Sequence, residues 1–268
     1  MSGSASLPAL ALGLYSVWDE WLRAPTPTLD AVAGLGCVGL ELYGDPVMSA
    51  AQLRQALARA GLQNAGWHVE WRLLQPAVRC RTLDYHQEAG TQCVAVPALG
   101  GPWEIAHTRA EDSAAGWERH AMWLGDLCGE VEHRGMRLGY HTHEHEFATR
   151  YADGRTPWGI LLEHAPPGVV LEVDTGNCLA AGVDAALAIA AAAGRAQWVH
   201  AKPFSRQTGW EVVIGGPGDA SDWPAILRAC ALAGTRWLVV EHESRVLAPG
   251  LAGARACLDG LRRVSPGS

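Results

Sequence analysis

Three times in this chain a helical stretch runs into a glycine and then, within a residue or two, into a short apolar run: Leu35-Gly36-Cys37, Ala60-Gly61-Leu62 and Ala233-Gly234-Thr235. A glycine that closes a helix adopts a left-handed conformation other residues resist. A buried strand directly behind it is the return half of a strand–helix unit. Repetition of that phrase restricts the chain to strands that run parallel and are joined by helices, because parallel neighbours need such a crossover.

Eight short runs have the length and character of buried strands: Pro8 to Tyr15, Cys37 to Tyr43, Leu62 to Val69, Gln92 to Pro97, Met136 to His143, Val169 to Asp174, Gln197 to Lys202 and Trp237 to Glu241. Helical spacing fills the intervals. Thr28 is placed to cap a helix holding Leu29, Val32, Ala33 and Leu35, and Ser49 to cap Ala50 to Ala60. Ala114 to Arg134 reads as a long helix closed by Gly135, and Val183 to Ala193 as one ending at Gly194. Ser221 or Asp222 starts a helix through Ala233, and Leu251 to Val264 is the last. The connection from Thr149 to Gly168, with Pro157 and Pro166-Pro167, shows no clear period. Eight strand–helix units in 268 residues predict an α/β fold, a closed (β/α)8 barrel taking residues 1–268 as one domain. An open doubly wound sheet is the rival, but it favours a glycine-rich loop after the first strand, where Ser16-Val17-Trp18-Asp19-Glu20 stands.

Composition narrows the function. A chain 49% hydrophobic and 18% charged builds a large core and is not disordered. Twenty-one Lys and Arg against twenty-eight Asp and Glu, net −7, leave no electrostatic footprint for nucleic acid. No apolar stretch is long enough for a membrane span, and Met1 to Leu7 lacks the form of a signal peptide. Seven scattered cysteines without a C-x-x-C pair read as reduced thiols in a cytoplasmic protein.

In such a barrel, chemistry sits where strands end. Strand two ends near Glu41, strand three near His68 and Glu70, and strand five in His141-Thr142-His143-Glu144-His145-Glu146. Strand six ends at Asp174-Thr175-Gly176-Asn177, strand seven at His200-Ala201-Lys202 and strand eight at Glu241-His242-Glu243. Each residue alone has an ordinary reading: a solvated histidine loop, an Asx turn at Asp174, a core histidine at His68 or His200, an ion-pair partner at Glu41, Lys202 or Glu241. Several apolar strands delivering His, Asp and Glu at one end is the pattern of a metal site. Carboxylates crowded in a low-dielectric cleft repel one another, and a divalent cation removes that cost. Carboxylates with an imidazole suit one Mn2+, Mg2+, Co2+ or Zn2+. The twelve tryptophans include Trp18, Trp67, Trp71 and Trp103 near strand-end loops, where core packing is favoured over stacking on a sugar ring.

The pieces Gly13-Leu14-Tyr15-Ser16-Val17, Leu35 to Glu41, Tyr140-His141-Thr142-His143 with Glu146-Phe147, Asp174-Thr175-Gly176-Asn177, His200-Ala201-Lys202, and Ile214 to Gly218 followed by Asp222-Trp223 keep a characteristic order and spacing. In these the chain resembles the sugar phosphate isomerase/epimerase family, with its xylose-isomerase-like TIM barrel. The resemblance implies one divalent cation held by Glu146, Asp174, His200 and Glu241, with Glu144 or His141 competing for the place of Glu146 and Glu243 for that of Glu241. It implies Glu146, Glu241 and His143 as proton-transfer groups, and His68, His141, Asn177 and Lys202 as substrate contacts. Two positions depart from the pattern: Pro203 follows Lys202 where Asp is common, and Asn177 stands where some members carry histidine.

The expected activity is isomerisation or epimerisation of a sugar or sugar-like hydroxy-ketone through an enediolate, on a small carbohydrate, without nucleic acid or membrane; a homo-oligomer is compatible with it. Two other readings stand beside it. One is a lyase of the inosose dehydratase or 3-keto-glycoside eliminase type, with the His141 to His145 run supplying the acid. The other is a sugar-binding barrel without catalysis. An AP-endonuclease-like role is disfavoured by the negative charge.

Overall fold

The helix-closing glycines act as their positions predict. Gly36, Gly61 and Gly234 follow helices at φ of 84°, 72° and 76°, and each precedes a strand of a parallel barrel. The computed structural model describes residues 8–101 and 112–265.

The strands are β1 Ala9–Gly13, β2 Gly39–Tyr43, β3 Gln63–His68, β4 Cys93–Val96, β5 Arg137–His141, β6 Val170–Asp174, β7 Trp198–Ala201 and β8 Trp237–Val240. They pair in sequence order, all parallel, and β8 returns to β1 to close the barrel. The helices are α1 Trp18–Arg23, α2 Pro25–Gly34, α3 Ala50–Ala60, α4 Arg79–Ala89, α5 Ala114–His133, α6 Glu144–Ala148, α7 Pro157–His164, α8 Thr175–Ala180, α9 Ala185–Ala191, α10 Trp223–Ala233 and α11 Gly250–Val264. Among the described residues no helix is long and apolar enough to cross a membrane. All seven cysteines are free thiols, and six of them are buried.

Caps explain most boundaries. Ser49 and Gln52 form a reciprocal capping box on α3. Asp222 caps α10, and Asp184 starts α9 two residues later than the alanine run suggested. Thr28 is not a cap: α2 begins at Pro25, and the Thr28 hydroxyl donates back to Ala24 O inside the helix. The stretch without a clear period contains α7, started by Thr156 with Pro157 in its first turn. Helix α4 escaped the apolar pattern because it buries only Leu83, His86 and Ala89 on a polar background.

Side chains alternate between the barrel interior and the helix layer. Outward residues such as Leu12, Leu40, Leu138 and Val199 join the main core with the helices. Inward, Trp198 and Trp237 form a floor with Ala11, Ala65, Cys93, Ala95, Val170 and Val239. The Trp198 indole donates to Ala65 O at 2.9 Å and the Trp237 indole to Gln92 Oε1 at 3.1 Å. Gly39 leaves the space: a Cβ there would come within 2.5 Å of the Trp237 ring. Two residues further along β2, β5, β6 and β7 the inward positions turn polar, at Glu41, His141, Glu172 and His200.

Candidate active site

That polar layer holds Glu41 of β2, His68 of β3, His141 of β5, Glu172 of β6 and His200 of β7, all buried. His68 Nε2 is 3.0 Å from Glu172 Oε2 and 3.2 Å from Glu41 Oε2, and His141 Nδ1 is 3.1 Å from Glu172 Oε2. His200 Nε2 is 2.6 Å from Glu41 Oε2. Gly66 makes room for Glu41, since a Cβ there would lie 2.7 Å from its Oε1.

One step towards the mouth, Asp174, Lys202 and Glu241 point inward. Asp174, His200 and Glu241 bring one ligand-type atom each within 4.8 Å of the others. His200 Nδ1 faces this group, 3.1 Å from Glu241 Oε2 and 3.9 Å from Asp174 Oδ2. The Lys202 ammonium lies 2.9 Å from Glu241 Oε1 and 3.7 Å from Asp174 Oδ2, pairs closely with Glu243, and sits 4.4 Å from the centre of the Trp210 ring. Thr175 ties the two strands together by sharing its hydroxyl with His200 O and Lys202 O at 2.9 Å. Asp174 Oδ1 caps α8 through the Asn177 amide at 2.8 Å. Its Oδ2, with His200 Nδ1, has no hydrogen-bond partner although both are buried.

Glu146 lies apart from this group. Its Oε1 accepts from the Tyr140 hydroxyl at 2.7 Å and its Oε2 from the His143 amide at 2.7 Å, closing the first turn of α6. The short helix turns its carboxylate onto its own backbone, and His141 is the β5 residue that reaches the interior. A cavity of about 690 Å³ opens above, lined among others by His68, His141, His143, Asn177, Lys202 and Glu241. Tyr15, Tyr43, Trp210 and Glu243 share its wall. His145 turns aside to Asp112 and Thr149, at 3.1 and 2.9 Å, and Glu70 pairs with Arg72. Trp67 is core, its indole donating to Gly44 O, and Trp18 packs edge-on against Tyr43. Trp71 is partly buried against the core, and Trp103 lies outside the described residues.

Glu172 was missed by reading strand ends, since it stands two residues before one. Its signal is a charge inside the apolar run Val170-Leu171-Glu172-Val173, in phase with Asp174. Trp210 was missed because it belongs to a long loop after β7.

Charge sorts these groups. Burial alone would neutralise Glu41 and Glu241, yet His68 and His200 beside Glu41, and Lys202 and His200 beside Glu241, hold both carboxyls well below the usual range. Burial raises Asp174 to about 6 against the pull of Lys202. Burial also opposes the charge on His200 and His68, but Glu41 and Glu172 raise both, His68 to about 10. Burial, with neighbouring cations, keeps His141 neutral and takes His143 down to about 3.

Residues 29–264 match the family described as xylose isomerase-like TIM barrel. A sugar phosphate isomerase/epimerase from Parabacteroides distasonis superposes with a TM-score of 0.79 at 18% identity, covering 99% of each chain. A D-psicose 3-epimerase structure determined in the presence of D-fructose gives 0.65 at 19%, over 97% of this chain and 92% of that one. A family 2 AP endonuclease from Brucella melitensis gives 0.65 at 13%, over 92% and 96%. No curated protein matches the chain. At these identities the structural likeness is one of fold, and it agrees with the family match over most of the sequence. The closed eight-stranded barrel and the matched residues together place the chain in the xylose isomerase-like TIM barrel family.

Proposed function

We propose that the chain is a divalent-metal-dependent isomerase or epimerase acting on a small sugar or related hydroxy-ketone. The carrying observation is the convergence of Asp174, His200 Nδ1 and Glu241 beneath a cavity sized for a small molecule. These residues fit a cation. Asp174 Oδ2 is buried without a hydrogen bond, and two carboxylates with an imidazole are donors for Mn2+, Mg2+, Co2+ or Zn2+. Glu41 completes the argument: by accepting the Nε2 proton of His200 it would leave Nδ1 as the nitrogen that binds an ion between the two carboxylates. Asp174, His200 and Glu241 would hold the ion, and it would supply positive charge to offset the negative charge that develops when the α-proton leaves.

The chain's own groups do the rest. Glu241, ionised and on the cavity wall, accepts the α-proton and returns it to the neighbouring carbon, while the hydroxyl proton on the first carbon passes to the former carbonyl oxygen. Lys202 holds Glu241 Oε1 in place. His143, kept neutral, presents its ring to the substrate from the β5 side and exchanges hydrogen bonds with its hydroxyls. His68, His141 and Asn177 contribute further polar contacts, and the Trp210 and Tyr43 rings supply apolar faces. Elimination would need an acid from the histidine-rich run, where burial disfavours the protonated forms of His141 and His143 and the His145 ring turns to Asp112 and Thr149. Isomerisation is therefore the reading we adopt. The deciding experiment incubates hydroxy-ketoses with the metal-loaded protein in D2O. Isomeric products one mass unit heavier through carbon-bound deuterium, lost in Glu241→Gln, support it. Loss of water from the substrate, or turnover without exchange, would overturn it.

A further inference from the structure

A second set of ligand-type side chains lies one layer below the mouth, and the reading above gives it no metal. His68, His141, Glu172 and His200 come from four different strands, are all buried, and bring one donor atom each within 4.8 Å of the others. Their separations are those of a coordination shell. His68 Nε2 to Glu172 Oε2 is 3.0 Å, His141 Nδ1 to Glu172 Oε2 is 3.1 Å and His200 Nε2 to Glu172 Oε1 is 3.6 Å. Tetrahedral ligands at ~2.0–2.1 Å from an ion stand about 3.3 Å from one another, a spacing that the His68 and His141 nitrogens approach to Glu172 Oε2. Two buried carboxylate oxygens beside them, Glu172 Oε1 and Glu41 Oε1, have no hydrogen-bond partner. Leaving such an oxygen bare in the interior is costly, and a cation held by Glu172 removes that cost for its carboxylate. The formal charges also close, because Glu41 and Glu172 balance one dication with the imidazoles neutral.

We infer that this layer is a second divalent-cation site, with His68, His141 and Glu172 as its ligands and the Glu41–His200 pair at its side. Two imidazoles and one carboxylate suit a borderline ion such as Zn2+ or Co2+ better than Mg2+. His68 and His141 also line the cavity, so the ion is reached from the substrate side. The two sites meet at the His200 ring, whose Nδ1 faces the upper group and whose Nε2 faces the lower one.

The test counts bound metal, independently of activity. Protein stripped with a chelator is reloaded with Zn2+, dialysed, and assayed by plasma mass spectrometry. Wild type should hold two equivalents, and Glu172→Gln, His68→Gln and Asp174→Asn one each. His68→Gln, at the cavity wall, serves if circular dichroism shows Glu172→Gln unfolded. A single equivalent in wild type that survives Glu172→Gln and His68→Gln but not Asp174→Asn overturns this inference and leaves the upper site standing. A single equivalent lost in the first two variants and kept in the third supports the lower site and overturns the upper one. No retained metal overturns both.

Discussion

His200 Nε2 lies 2.6 Å from Glu41 Oε2, so a carboxylate on β2 orients an imidazole on β7 across the barrel. Partners of this kind fix the tautomer of a ligating histidine. Glu41→Gln keeps an acceptor but loses the charge. Its metal affinity should fall by about tenfold to a hundredfold, read by competition against a chelating dye. Unchanged affinity would show that His200 needs no such orientation.

Gly66 should be intolerant of alanine for the same reason. The new Cβ would stand 2.7 Å from Glu41 Oε1 and 3.4 Å from Cys93 O, and with Gly66 paired to Glu41 on β2 it has little room to retreat. Overpacking of this kind costs about 1–3 kcal/mol. Urea melts of Gly66→Ala should show that loss together with weakened metal binding; a variant as stable and as metal-competent as wild type would mean that Glu41 moves freely.

Lys202 holds three acidic groups together. Its ammonium contacts Glu241, Asp174 and Glu243 while its side chain is almost fully buried. Removing one partner of a buried ion group costs about 3–5 kcal/mol. Lys202→Met should therefore melt well below wild type in the presence of a chelator. Added Mn2+ should then restore more of the melting temperature than it adds to wild type, because a cation can take over the neutralising role. Equal metal-induced shifts in the two proteins would contradict this.

Glu146 carries a pH signature. Burial raises its carboxyl from 4.5 to about 7 despite the hydrogen bonds from Tyr140 and the His143 amide. Between those values the unfolded chain releases the proton and the folded chain keeps it, so stability declines as pH rises through the window. The penalty is absent below pH 4.5 and complete above about 7, on the order of 3 kcal/mol. Glu146→Gln cannot ionise, and its stability should decline less between pH 4.5 and 7. Parallel stability profiles for the two proteins would remove Glu146 as the cause.

The barrel was legible because its signals are local. A glycine after a helix, a cap such as Ser49 or Asp222, and an apolar run of fixed length each report on a few neighbouring residues. Strand ends were legible for the same reason, and Asp174, His200 and Glu241 stand where they predict. Glu146 shows where that logic stops. Its neighbours place it at the right end of the barrel, but a capping geometry that only coordinates reveal turns its carboxylate towards Tyr140. Glu172 is the converse: its neighbours mark it only as a charge inside an apolar strand, and its meaning comes from His68 and His141, residues 104 and 31 positions away. Long-range polar partnerships of this sort leave no periodicity to read.

The indoles of Trp198 and Trp237 carry a kinetic implication. Among the described residues they stopper the barrel from beneath, so traffic into its hollow runs through the opposite end. On the proposed function, a departing product has to clear that end before the next substrate can arrive.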